Sequence, residues 1–287
     1  MRSYVRRIMW AAGVVLAVVP CSVRAQLAPP NEGGVSVAAV YLTVRDPDVH
    51  ATIWRESFGV DVVPLGSARL VKIPGVFLVL ERGEPTAGSD GASVDHEGFL
   101  VPDYLAAKAL FVARGMPITL ENADNKQVTF EFPDGVKFEF SEAAGLAVPV
   151  AHHHIHLFLT EAEAVRDWYA ATFAATPSTR NQFLSAIFPG DGLFDGAAAC
   201  RQPAGDFRCP RIDFASTGRA REPNAGRSLD RIGLEVRGLD QFVRKLQADG
   251  VTVLSAVQEA QASGLKRAVI VDPVGTRIEV TEGLATR

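Results

Sequence analysis

The sequence predicts an α+β protein made of four copies of one βαβββ module. Internal repeats carry this prediction. Val94–Leu120 and Leu229–Leu254 share a pattern in which Val-Asp-His96-Glu-Gly98-Phe-Leu-Val answers Leu-Asp-Arg231-Ile-Gly233-Leu-Glu-Val, at an offset of 135, each running into a helical stretch ended by Gly115 or Gly250. Ala39–Val44 answers His154–Leu159, and Trp54, Phe58 and Pro74-Gly75 answer Tyr169, Phe173 and Pro189-Gly190, all at an offset of 115. The second and fourth copies both close on a hairpin. Pro133-Asp134-Gly135 leads into Glu139, and Asp272-Pro273-Val-Gly275 leads into Glu279, now at an offset of 140, so the later copy carries a longer loop before its hairpin.

In chain order, the first 25 residues stand apart. Arg2, Arg6 and Arg7 precede an apolar run of 12 residues, Ile8–Val19, and Val23-Arg24-Ala25 fits a small-x-small cleavage site. The run is too short to span a bilayer comfortably, so residues 1–25 read as a secretory signal cut before Gln26. The expected address is periplasmic or secreted, with no membrane association after cleavage. Residues 26–34 form a polar, proline-containing leader. The first domain is expected at 35–144 and the second at 150–284, joined by the small-residue stretch Ala143–Val150.

Composition fits this plan. A chain of 287 residues suits two domains, and 47% hydrophobic with 22% charged residues indicates a well-cored globular protein. Losing the signal removes four arginines and no acid, which takes the formal charge from −4 to −8. That balance argues against a nucleic-acid partner, which needs a basic face. Signal cleavage also leaves only Cys200 and Cys209, both in an insertion in the third module, and an oxidising compartment would bridge them.

The helices show helical periodicity. Thr160 and Glu163 have capping-box spacing ahead of Val165, Trp168, Tyr169 and Phe173. Leu239, Phe242, Val243 and Leu246 repeat the pattern in the fourth module. The strands alternate. Phe138 and Phe140 face a helix and leave Lys137, Glu139 and Ser141 opposite, while Ile278 and Val280 leave Arg277, Glu279 and Thr281. The stretch Ala151–Leu159 holds four of the six histidines. Strict alternation would put His152, His154 and His156 on one face, and Ile155, Leu157 and Leu159 on the other. Imidazole is a common metal ligand, so this face is a candidate metal site.

Four modules with these signatures resemble the vicinal oxygen chelate superfamily, which includes glyoxalase I, extradiol dioxygenases and the bleomycin-resistance proteins. The resemblance runs from Val35 to Gly283, and its most specific part is the fourth module. It implies two glyoxalase-like half-barrel domains. It also implies metal ligands at two places per module, the histidine that starts the first strand and a carboxylate in the last. Carried over residue by residue, those positions hold Ala39 and Val79, then His96 and Glu139, then His154 and Asp213, then Arg231 and Glu279. The implied metal ligands are therefore His154, Glu279, His96 and Glu139, with Asp213 and Arg231 as catalytic candidates and a divalent ion as cofactor. His152, His153 and His156 are expected beside the ligands or at the surface. Neighbouring modules are expected to pair, which would join His154, Asp213 and Glu279 around Arg231. Pairing of the second module with the third would instead join His96, Glu139, His154 and Asp213.

The implied function is an exported metal-dependent lyase or isomerase acting on a small oxygen-rich substrate. The missing second histidine makes ring-cleaving dioxygenation the weaker enzyme reading. The alternative is a metal-free binding protein of the resistance type, in which Arg231 holds an anionic ligand, or a degenerate dioxygenase-like scaffold.

Overall fold

The computed structural model describes residues 27–180, 183–188, 209–260 and 264–287. The signal segment, Cys200 and hence the Cys200–Cys209 pairing lie outside them. The first module runs β1 (Val35–Val44), α1 (Pro47–Phe58), β2 (Asp61–Leu65), β3 (Ala68–Ile73) and β4 (Val76–Arg82). The second runs β5 (Val94–Val101), α2 (Tyr104–Ala113), β6 (Ile118–Asn122), β7 (Gln127–Phe132) and β8 (Val136–Glu142). The third runs β9 (Ala151–Leu159), α3 (Ala162–Phe173), β10 (Thr176–Arg180), β11 (Phe183–Ile187) and β12 (Arg211–Ser216). The fourth runs β13 (Leu229–Val236), α4 (Leu239–Ala248), β14 (Thr252–Ala260), β15 (Leu265–Val271) and β16 (Arg277–Glu282).

The four modules form two eight-stranded mixed sheets, but neighbours in sequence do not pair in the expected way. One sheet has the order β14-β15-β16-β13-β1-β4-β3-β2 and joins the first module to the fourth. The other has the order β10-β11-β12-β9-β5-β8-β7-β6 and joins the second to the third. We call them the outer and inner sheets. The expected split at 144/150 therefore falls inside the inner sheet, where β5 and β9 are antiparallel partners. The reason is local. Ala143–Val150 has the composition of a linker, yet Ala143, Leu146 and Val148 are buried against Leu100 of β5 and Ala151 of β9. The join is a packed corner that delivers β9 to β5.

One continuous apolar cluster lies behind both sheets. Trp54 of α1 is fully buried, and its ring lies 4.9 Å from Phe99 and 5.1 Å from Phe138, so a first-module helix packs on second-module strands. Tyr169 of α3 likewise donates a hydrogen bond to Asp272 of the fourth module, at 3.1 Å. Asn224 ties a central strand of one sheet to a central strand of the other. Its amide donates to the carbonyls of Val94 and Leu229, and its oxygen accepts from the Val94 amide.

Most helix ends follow the sequence. Asp46 caps α1 by accepting from the Asp48 amide, and Gly59 closes it at φ 65°. The capping box at α3 does not form. Glu161 occupies the cap without a side-chain bond, and Glu163 instead faces Arg166 at 3.6 Å. Among the described residues, no helix is long and apolar enough to cross a membrane.

Candidate metal centre

The front of the inner sheet is a cup whose floor is the β5–β9 pair. Two bulges shape that floor. The register jumps from Gly98↔His154 to Phe99↔His152, which leaves His153 as an extra residue on β9. It jumps again between Val94 and His96, leaving Asp95 as an extra residue on β5. A bulge breaks strict alternation by one residue. His152 therefore turns to the core face, where it pairs with Glu97 at 2.6 Å, both side chains fully buried. His153, His154 and His156 are left on the cup face. The expectation that His152, His154 and His156 share a face is corrected for His152 alone. Burial pushes the Glu97 carboxyl well up and holds His152 down at about 3, with the charge of Arg211 helping.

Five side chains meet in the cup. His96 Nε2 lies 3.4 Å from His154 Nε2, 3.3 Å from His156 Nδ1 and 3.5 Å from Glu139 Oε2. Glu139 Oε1 lies 3.8 Å from His154 Nε2, and His153 Nδ1 lies 3.1 Å from His154 Nδ1. All five are buried. Gly98 is what makes room. A Cβ there would stand 2.3 Å from His154 Cε1.

The surroundings orient these rings. Asp95 accepts from His96 Nδ1 at 2.9 Å and is itself held by Lys137 at 3.0 Å. With Nδ1 donating, His96 presents the lone pair of Nε2 to the cup, which is the ligand tautomer. Burial would lower the pKa of His96, but the Asp95 bond and the charges of Glu139 and Asp95 raise it overall. Burial lowers His154 and His156, with His153 and Arg211 adding to the shift of His154, and His96 adding to that of His156 against the opposing charge of Asp95. Burial raises Glu139. Arg211 donates to His153 Nε2 at 2.8 Å, and its Nε lies 3.0 Å from both oxygens of Asp213.

The donor set fits a divalent ion. A tetrahedral ion with metal–nitrogen bonds of about 2.1 Å spaces its ligands roughly 3.4 Å apart. The contacts around His96 Nε2 fall within 3.3–3.5 Å. The groups His96, His154, His156 and Glu139, His153, His154 each bring their ligand atoms within 4.8 Å of one another.

Of the residues singled out from sequence, the fold brings together His96, Glu139 and His154. Asp213 is nearby but engaged by Arg211 and by Ser185, whose hydroxyl donates to it at 2.5 Å. Arg231 and Glu279 are on the other sheet, so a centre joining His154 to Glu279 does not exist. Asp95 and Arg211 are not foreseen by the sequence reading, while His153 and His156, expected beside the ligands or at the surface, lie in the cup itself. Asp95 had a visible signal, because Asp-His96 and Asp-Arg231 repeat at the same offset.

The outer sheet has the same two bulges, at Ala38 on β1 and Asp230 on β13. Its cup carries different chemistry. Ala39 and Tyr41 stand where the inner cup has His154 and His156, and Arg231 stands where it has His96. Arg231 donates to Glu279 at 2.7 Å, to both oxygens of Glu81 at 2.9 Å and to Asp230 at 2.9 Å, and it lies 4.1 Å above the Tyr41 ring. Tyr41, Phe77, Val79, Leu70 and Ala39 fill the rest of the floor. The guanidinium occupies the place a cation would take and is already neutralised by three carboxylates. The expectation that Arg231 is free to grip a ligand is therefore corrected.

Asparagine at Asp95 is expected to weaken divalent-metal binding by about 10–100-fold, because the bond that fixes the His96 ring loses its charge. Competition with a chromogenic chelator measures this, and unchanged affinity would remove Asp95 from the site.

No family model matches the sequence, and no curated protein matches it. Solved structures do. Glyoxalase I from Zea mays aligns with a TM-score of 0.63 at 16% identity, over 88% of this chain and 94% of that one. A Bacillus subtilis protein provisionally assigned as a dioxygenase aligns with a TM-score of 0.60 at 16% identity, over 90% of this chain and 86% of that one. At these identities the likeness establishes the fold alone.

Proposed function

We propose that the inner cup is the active centre of an exported, divalent-metal-dependent lyase or isomerase acting on a small oxygen-rich substrate. The observation that carries this is the convergence of the buried ligand atoms of His96, His154 and His156 within 4.8 Å of one another, with Glu139 Oε2 3.5 Å from His96 Nε2. His96, His154 and His156 would hold the ion through nitrogen and Glu139 through oxygen. Bound there, a divalent ion supplies Lewis-acid polarisation of a carbonyl or enediolate oxygen. The chain's own groups do the rest. Asp95 keeps the His96 lone pair directed into the cup. Arg211 and Ser185 hold Asp213 in place, which makes Asp213 a support for the His153 side of the cup. Glu139 has no arginine or lysine hydrogen bond or ion pair among the described residues, so it is the carboxyl of the cup able to leave the ion and take and return a proton. The start of the chain, with arginines ahead of an apolar run, supports export. N-terminal sequencing of the mature protein is expected to begin at Gln26, and an intact Met1 would exclude cleavage.

Metal analysis of untagged protein tests the centre. About one equivalent of divalent ion is expected, and none after loading with zinc, manganese, cobalt, nickel or iron would overturn the proposal. Glu139→Gln should lower metal-dependent exchange of α-protons in small hydroxycarbonyl compounds by about 100-fold or more. Full exchange in that variant would take the proton-transfer role away from Glu139.

A further inference from the structure

The inner cup has a counterpart that the proposed reaction does not use. The outer cup opens between β14, β15 and β16 as a cavity lined by Arg231, Arg267, Arg277, Ser255, Gln258 and Glu279. The acids near it are committed to its floor. Glu81, Asp230 and Glu279 all contact Arg231 at 2.9 Å or less. The mouth is rich in donors whose bonds within the chain are long or absent among the described residues. Arg267 is exposed and makes no hydrogen bond or ion pair with the described residues. Arg277 reaches Asp230 only at 3.5 Å, with 38% of its side chain exposed. The Ser255 hydroxyl has a single long bond, 3.4 Å to the Ala256 carbonyl. Gln258 lies opposite Arg267 in the β14–β15 register, which places both on one face of the hairpin.

We infer that this cavity is a second binding site, one that takes a small oxyanion, the carboxylate or phosphate group of a metabolite. Guanidinium forks match two-oxygen anions in both spacing and charge. The cavity cannot be a second metal site, because Arg231 fills the position of the inner cup's His96 with a permanent positive charge. The outer cup thus keeps the shape of the inner one and reverses the charge of what it accepts. Ser255 and Gln258 add neutral donors beside the guanidiniums of Arg267 and Arg277. An anion entering here meets donors on both walls and pays no cost for displacing an existing salt bridge at Arg267.

Isothermal titration of the metal-stripped full chain with inorganic phosphate, and separately with glycolate, tests this inference. Stripping the metal removes anion binding borne by the ion at the inner cup, and His154→Ala reports any binding that its side chains retain, so the result does not depend on the function proposed there. Saturable one-site binding of at least one probe is expected, and the preferred probe identifies the ligand's headgroup as phosphate or carboxylate. Arg267→Ala and Arg277→Ala should each weaken it by about tenfold. His154→Ala should leave it unchanged. Absence of binding with both probes would overturn the inference. So would binding indifferent to both arginine substitutions, or binding lost in His154→Ala.

Discussion

Alanine at Arg231 is expected to destabilise the protein by about 3–5 kcal/mol, because it breaks a buried ion network by removing the cation that lies between three acids. Glu279 and Asp230 are nearly inaccessible, with 4% and 5% of their side chains exposed, and Glu81 is 34% exposed. Without the guanidinium, two buried carboxylates would repel each other in a floor otherwise made of Tyr41, Phe77 and Val79. The shift in urea midpoint at constant slope measures this loss. Combining Arg231→Met with Glu279→Gln should recover much of it, since replacing a buried pair with apolar or neutral groups of similar size is often neutral. A loss below about 1 kcal/mol in Arg231→Ala would mean that the network is solvated and contributes little. Metal content should remain at the wild-type level in every one of these variants, because the network belongs to the other sheet.

Alanine at His154 should reduce divalent-metal affinity by well over 100-fold, more than any substitution in the surrounding shell. His154 touches both His96 and Glu139, so its loss removes a donor and widens the gap between the remaining ones. Chelator competition at fixed pH gives the change. Wild-type affinity in His154→Ala would show that the ion, if bound, uses a different set. The fold itself should persist, because the apolar cluster behind the sheet contains Ile155 and Leu157 but not His154.

Much of this architecture is legible in the sequence, and the failures have physical causes. The modules are visible because each must bury one helix face against one sheet face, so apolar positions recur at fixed offsets. His96, Glu139 and His154 are visible as polar residues at repeated strand positions. Which modules pair is not visible. First strands of all four modules present similar edges, and the choice is made by the buried corner at Leu146 and Val148, whose surroundings read as a linker. The bulge at His153 is also hidden. A run of three histidines has no hydrophobic alternation to betray a one-residue slip, so the slip that puts His153 in the cup and His152 in the core is set by pairing with β5. The fate of Arg231 depends on Glu81, a residue 150 positions away that no local pattern links to it.

The nesting of the sheets sets an order of assembly. The inner sheet uses a continuous stretch of chain, from β5 to β12, whereas β1 must wait for β13, with Val35 opposite Val236. Contacts this distant in sequence form late, because the intervening loop must be closed before they add stability. The half that carries the histidine cup is therefore complete while the first module still has an open edge, which the last module then covers. Leu27 and Leu284, at opposite ends of the described chain, finish in the same apolar cluster. Trimming either terminus should loosen the outer sheet first and leave the histidine cup intact.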